Sequence, residues 1–201
     1  MPCPRLDRMN ALTLTLCVAG LLLSTGSGRA ASVTGQARVV EATTFDTGGA
    51  SRTTVLSDTG TLNDEIDARD ASASAGDVPS LLASGVLHAT TIAVPEQVAS
   101  EASIADLVIT AGGMRIGADL VMARARAAAR SPDTTTVAIE GLTINDVPVE
   151  VTGAANQTLQ LPGGRIVLNE RQNSSNTVTA MHLVLDGVAD LAIASATAKL
   201  H

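Results

Sequence analysis

Carboxylates are the residues of this chain best placed to do chemistry. Aspartate opens two identical triplets, Asp46-Thr47-Gly48 and Asp58-Thr59-Gly60. Paired carboxylates can share a proton, because two like charges held close cannot both ionise, and such a pair can activate water. Asp64, Glu65, Asp67 and Asp70 form a second acidic group, and Asp106 and Asp119 a third. Oxygen clusters of this kind are the chemistry of calcium, although Asp64 to Asp70 lacks the glycine and terminal glutamate of an EF-hand loop. His88, His182 and His201 are scattered without a zinc-binding spacing, and His88 and His182 read as satisfied polar groups on strands. Neither a Gly-x-Ser-x-Gly elbow nor a phosphate-binding glycine loop occurs.

The Asp-Thr-Gly triplets resemble the catalytic loop of retroviral-type aspartic proteases. Phe45-Asp46-Thr47-Gly48-Gly49-Ala50 has the apolar lead-in, and Ile116-Gly117-Ala118-Asp119-Leu120 is similar to the segment that packs beneath such a loop. Against this, Glu41-Ala42-Thr43-Thr44 is not the apolar strand that should deliver the aspartate. Two copies twelve residues apart cannot be the two loops of a two-lobed protease. Asp-x-Gly is also ordinary turn chemistry, the aspartate bonding its own backbone. The turn is the favoured reading, with a protease using Asp46 and a symmetry mate as the alternative.

The elements around these residues are read from period-two alternation. Ala105, Leu107, Ile109 and Ala111 lead into Gly112-Gly113, and Met114, Ile116, Ala118 and Leu120 lead out. A Gly-Gly loop supplies the positive φ of a tight hairpin turn. It sets Ala111 opposite Met114, Ile109 opposite Ile116, Leu107 opposite Ala118 and Ala105 opposite Leu120, with all eight side chains on one face. Asp106 then faces Asp119 on the outer side, where like charges repel unless Arg115, Arg124 or a hard cation intervenes. The competing reading is a helix over Ala118 to Arg130.

Strands are also predicted at Val33 to Thr44, Arg52 to Leu56, Thr134 to Ile144 and Val147 to Val151, the last two joined at Asn145-Asp146. A hairpin about Pro162-Gly163-Gly164 joins Thr158 to Leu161 with Arg165 to Glu170. Gln172 to Asn176 is a polar loop, and Val178 to Lys199 turns about Asp186-Gly187. Asn156-Gln157-Thr158 and Asn173-Ser174-Ser175 match a glycosylation triplet and mark polar loops. Ala71/Ala73/Ala75, Ala123/Ala125/Ala127 and Ala192/Ala194/Ala196/Ala198 alternate with polar partners. These three tracts are expected to lie together, alanines inward and Ser72, Arg124, Arg126, Ser195 and Thr197 outward. The fold class is all-β, a sandwich or roll of long antiparallel strands, with a β-solenoid as the alternative.

Residues 1–30 read as a secretory signal peptide. Arg5 and Arg8 precede an apolar stretch from Ala11 to Leu23, and Gly28-Arg29-Ala30 offers a small-residue cleavage site. Leu16 before Cys17 argues against lipid attachment there. Cleavage removes both cysteines and leaves residues 31–201 as one domain, with 10 basic against 19 acidic residues, a net charge of −9. That balance disfavours nucleic acid and anionic membranes as partners. Phe45 is the only aromatic residue, so the core must be made of Val, Leu, Ile and many Ala, which lets sheets approach closely.

Pro79-Ser80-Leu81-Leu82, Gly85-Val86-Leu87-His88-Ala89-Thr90-Thr91 and Val98-Ala99-Ser100-Glu101-Ala102-Ser103 carry a family likeness. With Gly112-Gly113, Ile116 to Ala127, Leu142-Thr143-Ile144-Asn145 and Gly164 to Glu170, the chain resembles the bacterial secreted proteins called choice-of-anchor P. The resemblance implies an exported, extracellular or cell-surface β-rich protein and transfers no catalytic residue. The chain ends at Lys199-Leu200-His201 without a hydrophobic tail, so it is expected to be released or held non-covalently. The expected function is a non-enzymatic structural or adhesive module, self-associating or binding a partner through an edge strand. No catalytic, cofactor-binding or metal-ligating residue is assigned, and calcium stabilisation is the remaining alternative.

Overall fold

The computed structural model describes residues 32–172 and 176–201. The predicted signal peptide and Asn173-Ser174-Ser175 lie outside the described residues. Among the described residues the regular structure is all strand, in antiparallel sheets that do not close into barrels. The first sheet runs β12 (Gln157–Leu161), β13 (Gly164–Arg171), β14 (Thr177–Leu185), β15 (Ala189–Leu200), β1 (Val33–Phe45) and β2 (Ser51–Asp58). At the centre of the second are β7 (Gln97–Ala111) and β8 (Met114–Ala128). One half of β7 pairs β6 (Leu87–Val94) and then β3 (Asp67–Ala73), the other β5 (Leu82–Ser84) and β4 (Gly76–Val78). β8 divides likewise between β9 (Ser131–Glu140) and β10 (Thr143–Ile144), which turns into β11 (Val147–Pro148). The result is a sandwich. Every strand pair is antiparallel, so the parallel stacking of a solenoid is absent among the described residues.

The central hairpin has the predicted register at all four pairs, and Gly112 and Gly113 both take positive φ. The helix considered over Ala118 to Arg130 is instead strand β8 as far as Ala128, followed by a turn at Ala129-Arg130. The turns at Asn145-Asp146 and Pro162-Gly163 also form as expected, with φ of +50° and +62° at the first two residues. Thr134 to Ile144 is not one strand: Gly141, at φ +64°, separates β9 from β10.

A crease crosses both sheets. On the first sheet Asn169, Ala180, Ala194, Val39 and Ser57 form one row across five strands. Asn169, Ala194 and Ser57, on alternate strands, are left-handed at φ +50°, +53° and +48°. On the second sheet Asp106 (φ +51°), Asp119 and Gly141 form the matching row. Each left-handed non-glycine residue costs about 1–2 kcal/mol, held in place by ladders on both sides. Side-chain alternation reverses at the crease. Val39-Val40, Ala180-Met181 and Ile193-Ala194 are consecutive buried pairs, whereas Ala105-Asp106 and Asp119-Leu120 both turn away from the core.

That reversal corrects two expectations. Ala105 and Leu120 are half-buried on the outer side, not inward, and Ala192 likewise lies outward while Ala194, Ala196 and Ala198 are buried. The alanine tracts of β8 and β15 do pack against each other, with Ala123, Ala125 and Ala127 inward. Ala71 touches the core from β3, but Ala73, at the end of this outer strand, and Ala75, beyond it, are exposed.

Close approach of the sheets is visible at Gly35 on β1. A methyl group there would lie 2.5 Å from Thr91 Oγ1 and 2.9 Å from Val98 Cγ2 on the opposite sheet. Nearby, Thr91 and Ser100 are buried polar residues whose hydroxyls are 2.7 Å apart. Ser100 donates across the sandwich to the Thr197 carbonyl at 2.7 Å. Larger side chains could not fit between the layers here.

Candidate functional site

Both Asp-Thr-Gly triplets are turns. Asp46 Oδ1 accepts the N–H groups of Gly48 and Ala50 at 2.8 and 2.9 Å in the loop between β1 and β2. Asp58 Oδ1 accepts the Gly60 N–H at 2.8 Å and Gln36 Nε2 at 3.0 Å, while its Oδ2 accepts Arg38 Nε at 2.8 Å. Burial pushes the Asp58 carboxyl up, but Gln36, the Gly60 N–H and Arg38 together hold it below its ordinary 3.8. The two aspartates flank β2 at opposite ends, about 25 Å apart at the usual rise per residue. They cannot form a shared-proton pair within one chain.

Asp106 and Asp119 stand across from one another in the register, yet their carboxylates diverge. A methyl group on Gly85 would lie 2.8 Å from Asp106 Oδ2, and one on Gly141 would lie 2.1 Å from Asp119 Oδ2. Each carboxylate therefore lies over bare glycine backbone on its own side, which relieves the predicted repulsion. In the other acidic group, Asp67 accepts from the Ala68 N–H at 2.8 Å and Arg69 Nε at 3.0 Å, and Asp70 accepts from Ser72. Among the described residues no three His, Asp or Glu side chains converge as a metal site.

The histidines acquire partners that sequence spacing could not reveal. Ser72 Oγ lies 2.8 Å from His88 Nδ1, and Asp70 Oδ2 lies 3.4 Å from the same nitrogen. A nucleophile relay needs the hydroxyl and the carboxylate on opposite ring nitrogens, so this trio is not one. His182 on β14 is bracketed by Glu170 of β13, 2.9 Å from Nδ1, and Asp190 of β15, 2.8 Å from Nε2. Opposite nitrogens cannot share one metal ion. The three side chains instead cross-brace the outer face of the first sheet. His201 Nε2 lies 3.3 Å from Thr34 Oγ1.

The sheet edges offer unpaired backbone for recognition. β3 carries Asp67, Arg69 and Asp70, and β2 carries Arg52 and Asp58, charges that discourage pairing with another strand. β4 and β11 are three and two residues long, and β12 is five. β9 is ten residues long, pairs only with β8 among the described residues, and is free of charge from Thr134 to Ile139. Thr135, Val137 and Ile139 face the core side yet stay only half-buried. The Thr135 carbonyl points to the open edge, where Arg171 Nη2 lies 3.4 Å away. Its pattern of threonines and β-branched residues was visible in the sequence; its place at the edge was not. Comparison with family models, curated proteins and solved structures returns no match.

Proposed function

We propose that the chain is an exported, non-enzymatic structural or adhesive module, acting outside the cell or at its surface, in keeping with its resemblance to choice-of-anchor P. The observation that carries this reading is the long uncharged edge of β9, a template for strand addition. The reading draws further support from Asp46, Asp58, His88 and His182, whose hydrogen bonds go to their own backbone or to neighbouring strands.

Fractionation of cells expressing the tagged full chain is the test, with immunoblotting of cytoplasm, surface and medium. Recovery of a shortened chain at the surface or in the medium is expected; a full-length cytoplasmic chain overturns the reading. The non-enzymatic part falls if the secreted protein cleaves substrates at acidic pH, with pepstatin sensitivity, and Asp46→Asn abolishes that cleavage.

A further inference from the structure

We infer that β9 pairs antiparallel with β9 of a second copy about a two-fold axis at Val137, joining the two second sheets into one. This deepens the surface-module reading and rests on it. In a strand, the backbone groups of alternate residues point to the same side. The outward Thr135 carbonyl therefore marks Thr135, Val137 and Ile139 as the residues whose N–H and C=O groups face the open edge. A two-fold axis on Val137 pairs it with itself and Thr135 with Ile139 of the other copy, a self-complementary ladder. Arg171, at 3.4 Å, is displaced from the Thr135 carbonyl when the second strand arrives.

Charge selects this register. Thr134, Thr136, Ala138 and Glu140 share the outer face, and Thr134 stands opposite Arg126 on β8. With the axis at Val137, Glu140 of one copy comes opposite Thr134 of the other, in the same row as that copy's Arg126. Two strand spacings, about 10 Å between backbones, separate the charges, a gap that glutamate and arginine side chains together span. Among the described residues the Arg126 guanidinium bonds only the neutral Gln97 Oε1, at 3.1 Å, and Glu140 forms no ion pair. Within one chain, Glu140 stands six residue steps along β9 from Thr134, the residue opposite Arg126, about 20 Å. Any energetic coupling between these two side chains therefore arises between copies.

Cysteine trapping tests both the pairing and its register, in full chains with Cys3 and Cys17 replaced by serine. Under mild oxidation Val137→Cys is expected to form a disulfide-linked dimer by itself. Thr135→Cys and Ile139→Cys are expected to cross-link only when mixed. Glu140→Arg and Arg126→Glu should each lower the Val137→Cys dimer yield about fivefold, and the double reversal should restore it. Absence of the Val137→Cys dimer from a chain with native strand dichroism overturns the inference, as do efficient single-variant links at 135 or 139, or a double reversal that fails to restore. A surface-located chain that gives no dimer refutes the pairing alone, whereas a cytoplasmic chain refutes the surface reading whatever the dimer yield.

Discussion

The crease divides the core into two unlike halves. On one side lie Leu107, Ile109, Ile116, Ile166, Leu168, Leu183 and Leu191, side chains that fill the gap between layers by their own bulk. On the other, Gly35, Ala37, Ala89, Ala102, Ala123, Ala125, Ala196 and Ala198 predominate, and the sheets come close enough for Ser100 to reach the opposite backbone. The first half is stabilised mainly by area removed from water, at roughly 25 cal/mol per Å². The second depends more on dispersion contacts between closely approaching atoms. One fold thus contains a region sensitive to lost volume beside another sensitive to added volume.

The sharpest way to break this comparison is to exchange the two sensitivities. Leu183→Ala, in the bulky half, is expected to cost about 2–5 kcal/mol through the cavity it leaves, measured by urea unfolding. Gly35→Ala, in the close half, adds one methyl where Thr91 and Val98 already stand, and should cost about 1–3 kcal/mol. If Gly35→Ala proves neutral, the layers are not in close contact there. Ser100→Ala removes the hydroxyl that links the layers, with an expected loss of about 1 kcal/mol in the same assay.

The smallest effect concerns pH. The Asp58 carboxyl is held below its ordinary value when folded, so its contribution is present above that value and fades as pH falls through the lower folded value. Asp58→Asn should therefore destabilise the chain modestly near neutrality and flatten the fall of melting temperature below about pH 4. An unchanged acid slope in that variant would show that Arg38 and Gln36 do not favour the ionised form.

Turn chemistry was the most legible part of the sequence. Gly112-Gly113, Asn145-Asp146 and Asp46-Thr47-Gly48 each state their backbone conformation locally, and the central hairpin follows from its glycines and alternation. The crease was not legible. Alanine carries no preference for a left-handed backbone, yet Ala194 adopts one because the ladders of β14 and β1 hold it on both sides. Alternation read straight through Ala105, Leu120 and Ala192 therefore assigned the wrong face. The partners of His182 were hidden for a related reason: Glu170 and Asp190 reach it from two other strands, and spacing along one strand contains no trace of them.

A ladder built from near-identical small residues has a particular weakness: sliding by two positions leaves its inward pattern almost unchanged, so β8 and β15 taken alone barely define their own alignment. The row of reversed pleats acts as an index mark against this. Shifting any strand by two would carry its reversal off the shared line and set buried and solvent-facing positions of neighbouring strands out of step. Three strained residues on the first sheet thus give a monotonous sequence a single permitted alignment.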